Sequence, residues 1–250
     1  MILQLSLCIP TMNRWSFLEI NLPKYLQNPY IGEIVITDET GEDFDIIMNV
    51  YKDEPKIKIF KNNERLGGFL NKLECMKHAS YDWICLIDSD NYADLSYFNE
   101  FFSYVFDEEH KLEQNMIYCP SFAKPNFSYK CLQNILINKL SLKSILNSEI
   151  KYQLEGCLNT GNYILNRSSV NVIQNMLIHD EEANYLSKFF FPSDTFYMNY
   201  LLLKNDYTFV VIPKMEYEHV VHENSFYQTH AIQYQPVMDY IFEKIRKEYK

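Results

Sequence analysis

A short apolar run that stops at two carboxylates constrains this chain more than any other segment: Trp83-Ile84-Cys85-Leu86-Ile87, then Asp88-Ser89-Asp90. The run is uninterrupted, as a strand covered on both faces should be. Strands of that kind lie in the middle of open α/β sheets, which bind ligands beyond the carboxyl ends of their strands. Asn91 follows, and Asp94 is placed to cap the next amphipathic stretch. An isolated Asp-x-Asp is ordinarily a solvated turn, because Asp bonds its own backbone there. At a strand end in such a sheet, the same two hard oxygen donors also suit a divalent cation that holds a diphosphate.

The surrounding pattern supports the sheet. Strands are expected at Gln4–Ile9, Glu33–Thr37 and Ile57–Phe60, each followed by a helical pattern. The helices are read from Ser16, as a cap, to Leu26, over residues 43–52, and over Phe69–Ala79, where Phe69, Leu73 and Met76 share one face. Leu95, Phe98, Phe102 and Val105 mark another. Strands separated by helices imply a mostly parallel central sheet with right-handed crossovers, flanked by helices in a single domain. Residues 121–156 show no clear period and read as a region shaped for a particular ligand. Beyond them, Cys157–Leu165 reads as a strand interrupted at Gly161-Asn162, and Ser168 or Ser169 as the cap of a helix to Ile178. Ser193 is expected to cap a helix Asp194–Lys204, Tyr207–Ile212 to form a strand that Met215–Val221 extends or follows with another, and the tail from about Ile232 to be helical.

Composition narrows the function. The formal charge is −10 with no basic block to offset it, which disfavours nucleic acid and anionic membranes as partners. The six cysteines lack CxxC spacing and read as reduced. No apolar run is long enough to span a bilayer, and Met1 leads into strand-like sequence without a charged n-region. A cytoplasmic protein with no transmembrane segment is the expectation.

Several further side chains gather at the expected ligand edge. Asp38 ends the second strand as Asp88 ends the fourth, so it can accept hydrogen bonds from a base or ribose, or cap a turn. The loop Pro10-Thr11-Met12-Asn13-Arg14 offers backbone N–H groups and a cation to phosphate. Arg65 precedes Gly67-Gly68 at a helix start, where an anion is welcome. His219 and His222 follow the last strong strand and face opposite ways if the segment is extended, so one of them is expected to face a metal. Asp194 opens a helix, where the dipole favours an acid without further explanation.

Taken in order, these fragments resemble the GT-A glycosyltransferases of the inverting family-2 type. The resemblance runs from about Leu5 to Tyr227 through LSLCIPTMNR, EIVITDET, NNERLGGFLNKL, WICLIDSDN, LNTGNYILN, FFPSDTFYMNYLL and YEHVVHENS. It implies a GT-A fold, with a nucleotide-binding half over about 1–120, an acceptor-binding half over about 121–230 and a C-terminal helix at 231–250. It places Pro10, Thr11, Asn13, Arg14, Asp38, Arg65, Asp88 and Ser89 at the nucleotide and its phosphates. Asp90 is implied to ligate Mn²⁺ or Mg²⁺ with the donor diphosphate, Asp88 to contact ribose or the metal's water, and Asp194 to be the catalytic base. Among the histidines His222 is preferred over His219 as a metal ligand, because it precedes the polar loop Glu223-Asn224-Ser225. The donor would be a UDP- or GDP-sugar, and the acceptor a glycan or other hydroxyl compound. The family's base is usually the second of two acids, and here Ser193 stands in place of the first. The QxxRW motif of processive synthases is absent.

Two other readings belong beside this one. A sugar-nucleotide pyrophosphorylase would need a Gly-rich loop after strand one, and Pro10–Asn13 contains no glycine. A non-catalytic sugar-nucleotide or carbohydrate-binding protein on the same scaffold would tolerate the missing acid before Asp194.

Overall fold

The computed structural model describes residues 3–107, 112–189, 194–222 and 231–248. A seven-stranded sheet runs through its centre. In chain order its strands are β1 (Leu5–Thr11), β2 (Ile31–Asp38), β3 (Ile57–Lys61), β4 (Trp83–Leu86), β5 (Met116–Cys119), β8 (Tyr163–Asn166) and β9 (Thr208–Val211). In space the order is β3-β2-β1-β4-β8-β5-β9. All neighbours are parallel except β8, which runs against both β4 and β5. A second, three-stranded sheet is formed by β6 (Phe122–Lys124), β7 (Phe127–Ser128) and β10 (Glu216–Glu218).

The order 3-2-1-4 reverses direction between β1 and β4, and a crevice opens at such a switch point. β1 and β4 have no exposed residue, so β4 is apolar throughout and β1 nearly so, its Ser6 and Thr11 being buried and hydrogen-bonded. Helices α1 (Trp15–Leu26), α2 (Glu42–Val50), α3 (Gly68–Lys77) and α4 (Leu95–Val105) are the crossovers of this half. Asp94 caps α4, accepting from the backbone N–H groups of Ser96 and Tyr97. Ser16 does not cap α1: the helix begins at Trp15 with no side-chain cap, and Pro23 lies inside it.

The second half departs further from the sequence expectation. Residues 121–156 hold β6, β7, a short 3-10 turn, α5 (Lys139–Leu146) and most of α6 (Lys151–Asn159). Cys157–Asn159 is the last turn of α6, so only Tyr163–Asn166 is strand. Neither Ser168 nor Ser169 caps α7 (Ser168–His179); the Asn166 side chain accepts from the Ser168 N–H instead. Of the two readings of Met215–Val221, the second holds: it does not extend β9 but supplies β10 to the second sheet. Helices α8 (Glu181–Phe189), α9 (Asp194–Lys204) and α10 (Ala231–Glu248) complete the fold. Ser193, the expected cap of α9, and the loop Glu223-Asn224-Ser225 lie outside the described residues. α9 is buried from Thr195 to Leu203, which explains why apolar and aromatic residues fall on every side of it. Among the described residues no helix is long and apolar enough to cross a membrane. All six cysteines are free, and only Cys131 is exposed.

One polar knot staples the edge of the large sheet. The Glu33 carboxylate, 3% exposed, accepts from Ser6 Oγ at 2.5 Å, Lys58 Nζ at 2.5 Å, and Ser80 N and Oγ at 2.5 and 2.7 Å. Burial alone would raise its pKa, but these donors win and hold it at about 2 instead of 4.5. A carboxylate depressed on folding adds stability above its unfolded pKa and loses it as protons bind to the folded form. The contribution is therefore complete above about pH 4.5 and is lost on acidification toward pH 2. With Lys58 partly in solvent, we expect about 2–3 kcal/mol. Urea melts of Glu33→Gln should show that loss at pH 7 and almost none at pH 2; equal losses at both pH values would contradict it.

Candidate active site

The crevice at the β1–β4 switch point is a cleft of about 510 Å³. Pro10, Thr11, Arg14, Arg65, Asp88, Ser89, Asp90, Asp194 and His219 all line it. These residues come from both halves of the chain and converge because β4 ends where α3 and α9 begin.

The carboxylate loop after β4 is held from outside itself. Asn162, 2% exposed, accepts the Asp88 N–H at 2.9 Å through Oδ1 and donates to Asp88 Oδ2 at 3.2 Å through Nδ2. The Gly161-Asn162 interruption is thus the clamp that aims Asp88. On the other side, Tyr92 and Glu218 exchange both backbone hydrogen bonds, at 3.0 and 2.8 Å, and Val220 N donates to Asn91 Oδ1. This bridge carries β10, and the histidines after it, to the carboxylates. Asn162→Ala should leave the part-buried Asp88 N–H without its partner, at a cost of about 1–3 kcal/mol. Chemical denaturation would show it, and an unchanged midpoint would mean that water replaces the amide.

The nucleotide side sorts less simply. Thr11 Oγ1 donates to Asp43 Oδ2 at 2.6 Å, and the same carboxylate takes the Arg14 and Trp15 N–H groups, so Asp43 shapes the first loop. Asn13, at φ 56°, accepts from Thr40 Oγ1 and does not line the cleft. Asp38 does not line it either. It is fully buried, its oxygens taken by the Thr40 and Phe44 N–H groups, so it holds the entry to α2. Successive side chains at a strand end face opposite ways, and Glu39 is the acid that lines the cleft. Its carboxylate accepts from Gly67 N and from Asn62 Nδ2. That signal was readable in Asp38-Glu39, but not which of the two faced the ligand edge.

Asp194 opens α9 and turns its carboxylate toward α3. Asp194 Oδ2 accepts from Lys72 Nζ at 2.6 Å, and Lys72 also meets Asp88 Oδ1 at 3.1 Å. Burial alone would lower the Lys72 pKa, but Asp194 and Asp88 outweigh it and raise it. The sequence carried a hint: Lys72 falls on the buried stripe of Phe69, Leu73 and Met76, where an apolar residue is expected.

The two histidines separate. His222 Nε2 lies 2.9 Å from Asp90 Oδ2, and Arg14 Nε stands 3.8 Å from the same oxygen. His219 turns its Nδ1 to Asn126 Nδ2 at 2.8 Å, and burial lowers its pKa against the opposing pull of Asp88 and Asp90. A carboxylate oxygen and an imidazole nitrogen about 3 Å apart have the spacing of adjacent ligands on an octahedral ion at about 2.1 Å. Among the described residues no group of three or more His, Cys, Asp or Glu is arranged to hold a metal. A two-donor site of this kind suits an ion that takes its other ligands from substrate phosphate and water.

The profile of glycosyl transferase family 2 matches residues 6–140, more than half of the chain. The chain belongs to that family. Its structure resembles TarS from S. aureus in complex with UDP-GlcNAc, at 14% identity over 96% of this chain and 65% of that one, with a TM-score of 0.63. It also resembles the mannosyltransferase PcManGT from Pyrobaculum calidifontis in complex with GDP-Man and Mn²⁺, at 12% identity, with coverage of 97% and 65% and a TM-score of 0.62. GalNAc-T7 with UDP, GalNAc and Mn²⁺ aligns at 11% identity over 88% of this chain and 44% of that one, with a TM-score of 0.55. At these identities the likeness establishes the GT-A fold. The chain spans less than two thirds of the length of each of these structures. No curated protein sequence matches it significantly.

Proposed function

We infer that this chain is a metal-dependent, inverting glycosyltransferase that moves a hexosyl unit from a nucleoside-diphosphate sugar to an acceptor hydroxyl. One observation carries the reading: the paired carboxylates Asp88 and Asp90 after β4 and the Asp194 carboxylate at the start of α9 line one cleft. Residues of the first 120 or so line the nucleotide end. The acceptor end is lined from 121–230, by Phe127, Tyr129, Tyr217 and His219 among others. A bound Mn²⁺ or Mg²⁺ would neutralise charge that builds on the departing diphosphate. Asp90 and His222 are the residues that would hold it. The first loop and Arg65 orient the nucleotide, and Asp194 takes the acceptor proton as the oxygen attacks the anomeric carbon from the face opposite the diphosphate. The donors bound in the TarS and PcManGT complexes support a UDP- or GDP-sugar as the first to try.

Calorimetry with UDP and with GDP, each with and without Mn²⁺, tests the donor site. Micromolar binding that depends on the metal is expected, and absence of binding to either nucleotide would overturn the reading. The same titration discriminates the histidines. His222→Ala should weaken Mn²⁺-dependent binding by about tenfold or more, comparable to the 10–100-fold that perturbed metal sites lose. His219→Ala should leave it within about twofold, and equal losses in both would exclude His222 as the ligand.

A further inference from the structure

Lys72 stands between the two acids on which the proposed reaction depends, and it joins three elements in doing so. Its ammonium reaches Asp88 from β4 at 3.1 Å and Asp194 from α9 at 2.6 Å, on a side chain rooted in α3. The residue is 9% exposed. Burying an ammonium with two carboxylates carries a desolvation cost that its attractions do not reliably recover, so net stabilisation is a poor reason to keep it. On the stripe of Phe69, Leu73 and Met76, a leucine or methionine would pack at no such cost.

The surroundings are shaped around this triad. A Cβ on Gly68 would stand 2.5 Å from Asp194 Oδ2, and one on Gly161 would stand 3.2 Å from Lys72 Cε and 3.1 Å from Thr195 Oγ1. Two glycines thus leave the space that the Lys72–Asp194 pair fills. An acid at a helix start is otherwise drawn to its own first-turn N–H groups; here the carboxylate points across the cleft wall instead. The geometry points to Lys72 as a positioning residue that fixes the Asp194 carboxylate relative to Asp88, and so sets the distance between acceptor and donor sides. This rests on the reading of Asp194 as the base. Lys72 need not touch the sugar: its effect runs through Asp194.

The test is a cycle of Lys72→Met, Asp194→Asn and the double variant, with Lys72→Arg as the conservative change. Each is measured for hydrolysis of UDP-GlcNAc and GDP-mannose with water as acceptor, and for Mn²⁺-dependent binding of UDP and GDP. Lys72→Met is expected to lower kcat by about tenfold or more with donor KM within about threefold, the pattern of a lost transition-state contribution. Lys72→Arg should recover at least about a third of the rate, and Lys72→Met should add less than about twofold to Asp194→Asn. A raised KM with unchanged kcat would make Lys72 a diphosphate ligand, and multiplicative losses would make it independent of Asp194. Either outcome overturns the proposal. Melting temperatures decide the coupling without turnover: Asp194→Asn should shift Tm at least about twice as far with Lys72 present as with Met in its place. Equal shifts overturn it. Failure of the unaltered protein to bind either nucleotide would remove the transferase reading instead, and the melting cycle would still report on Lys72 and Asp194.

Discussion

Asp194→Asn is expected to lower turnover by about 10² to 10⁴-fold, the range that a positioned general base contributes, while nucleotide and metal binding stay within about twofold. Asn keeps the shape of the side chain and a carbonyl oxygen for Lys72, so α9 and the cleft wall should remain in place. On the proposed reading, what it removes is the acceptor for the substrate proton. As an ordinary first-turn acid, Asp194 would matter only through the helix dipole, worth about 0.3–1 kcal/mol. That role predicts a small shift in melting and full turnover per folded molecule. The geometry favours the larger effect, because the carboxylate faces Lys72 and the cleft. Kinetics on the Asn variant, together with the anomeric configuration of the product by NMR, settle the matter. Near-normal turnover or a retained configuration would each refute the base assignment.

Asp90→Asn should weaken Mn²⁺-dependent nucleotide binding by more than about tenfold and leave metal-free binding nearly unchanged. Asp90 Oδ2 is the oxygen that His222 Nε2 and Arg14 Nε both approach, so it is the anionic centre of that wall. An amide oxygen is a weaker donor for a hard divalent ion than a carboxylate. The fold should survive, because Asp90 lies in the turn after β4 and its backbone neighbours are held by Asn162, Asn91 and the Tyr92–Glu218 bridge. Calorimetric titration of UDP with and without Mn²⁺ reads the effect directly. A variant that binds UDP and Mn²⁺ as the parent does would place the ion elsewhere or nowhere.

The carboxylate loop and the central strands were legible in the chain because they are local. A strand buried on both faces must be apolar throughout, and the first polar residues after it mark its end, so Trp83–Ile87 and Asp88–Asp90 announce each other. The helix faces of α3 and α4 were readable for the same reason. The region from 121 to 159 was not. β6 and β7 are two or three residues long and largely exposed, and α6 has a weak apolar period. Cys157-Leu158 therefore read as strand when it closes a helix. Asp38 and Glu39 show the limit from the other side: both acids were in view, and only the twist of β2 into α2 chose which one faced the cleft.

By itself the sequence determined the kind of sheet, the strand at whose end the cleft opens, and the acids available there, since each depends on periods of two or 3.6 along one element. The tertiary structure decided the rest. It ran β8 against its neighbours, brought Asn162 to Asp88 across 74 residues, His222 to Asp90 across 132, and Lys72 to Asp194 across 122. No local pattern encodes those meetings. They follow from how packed elements are registered against one another, and side-chain partners a few ångströms apart are settled only when that packing is complete.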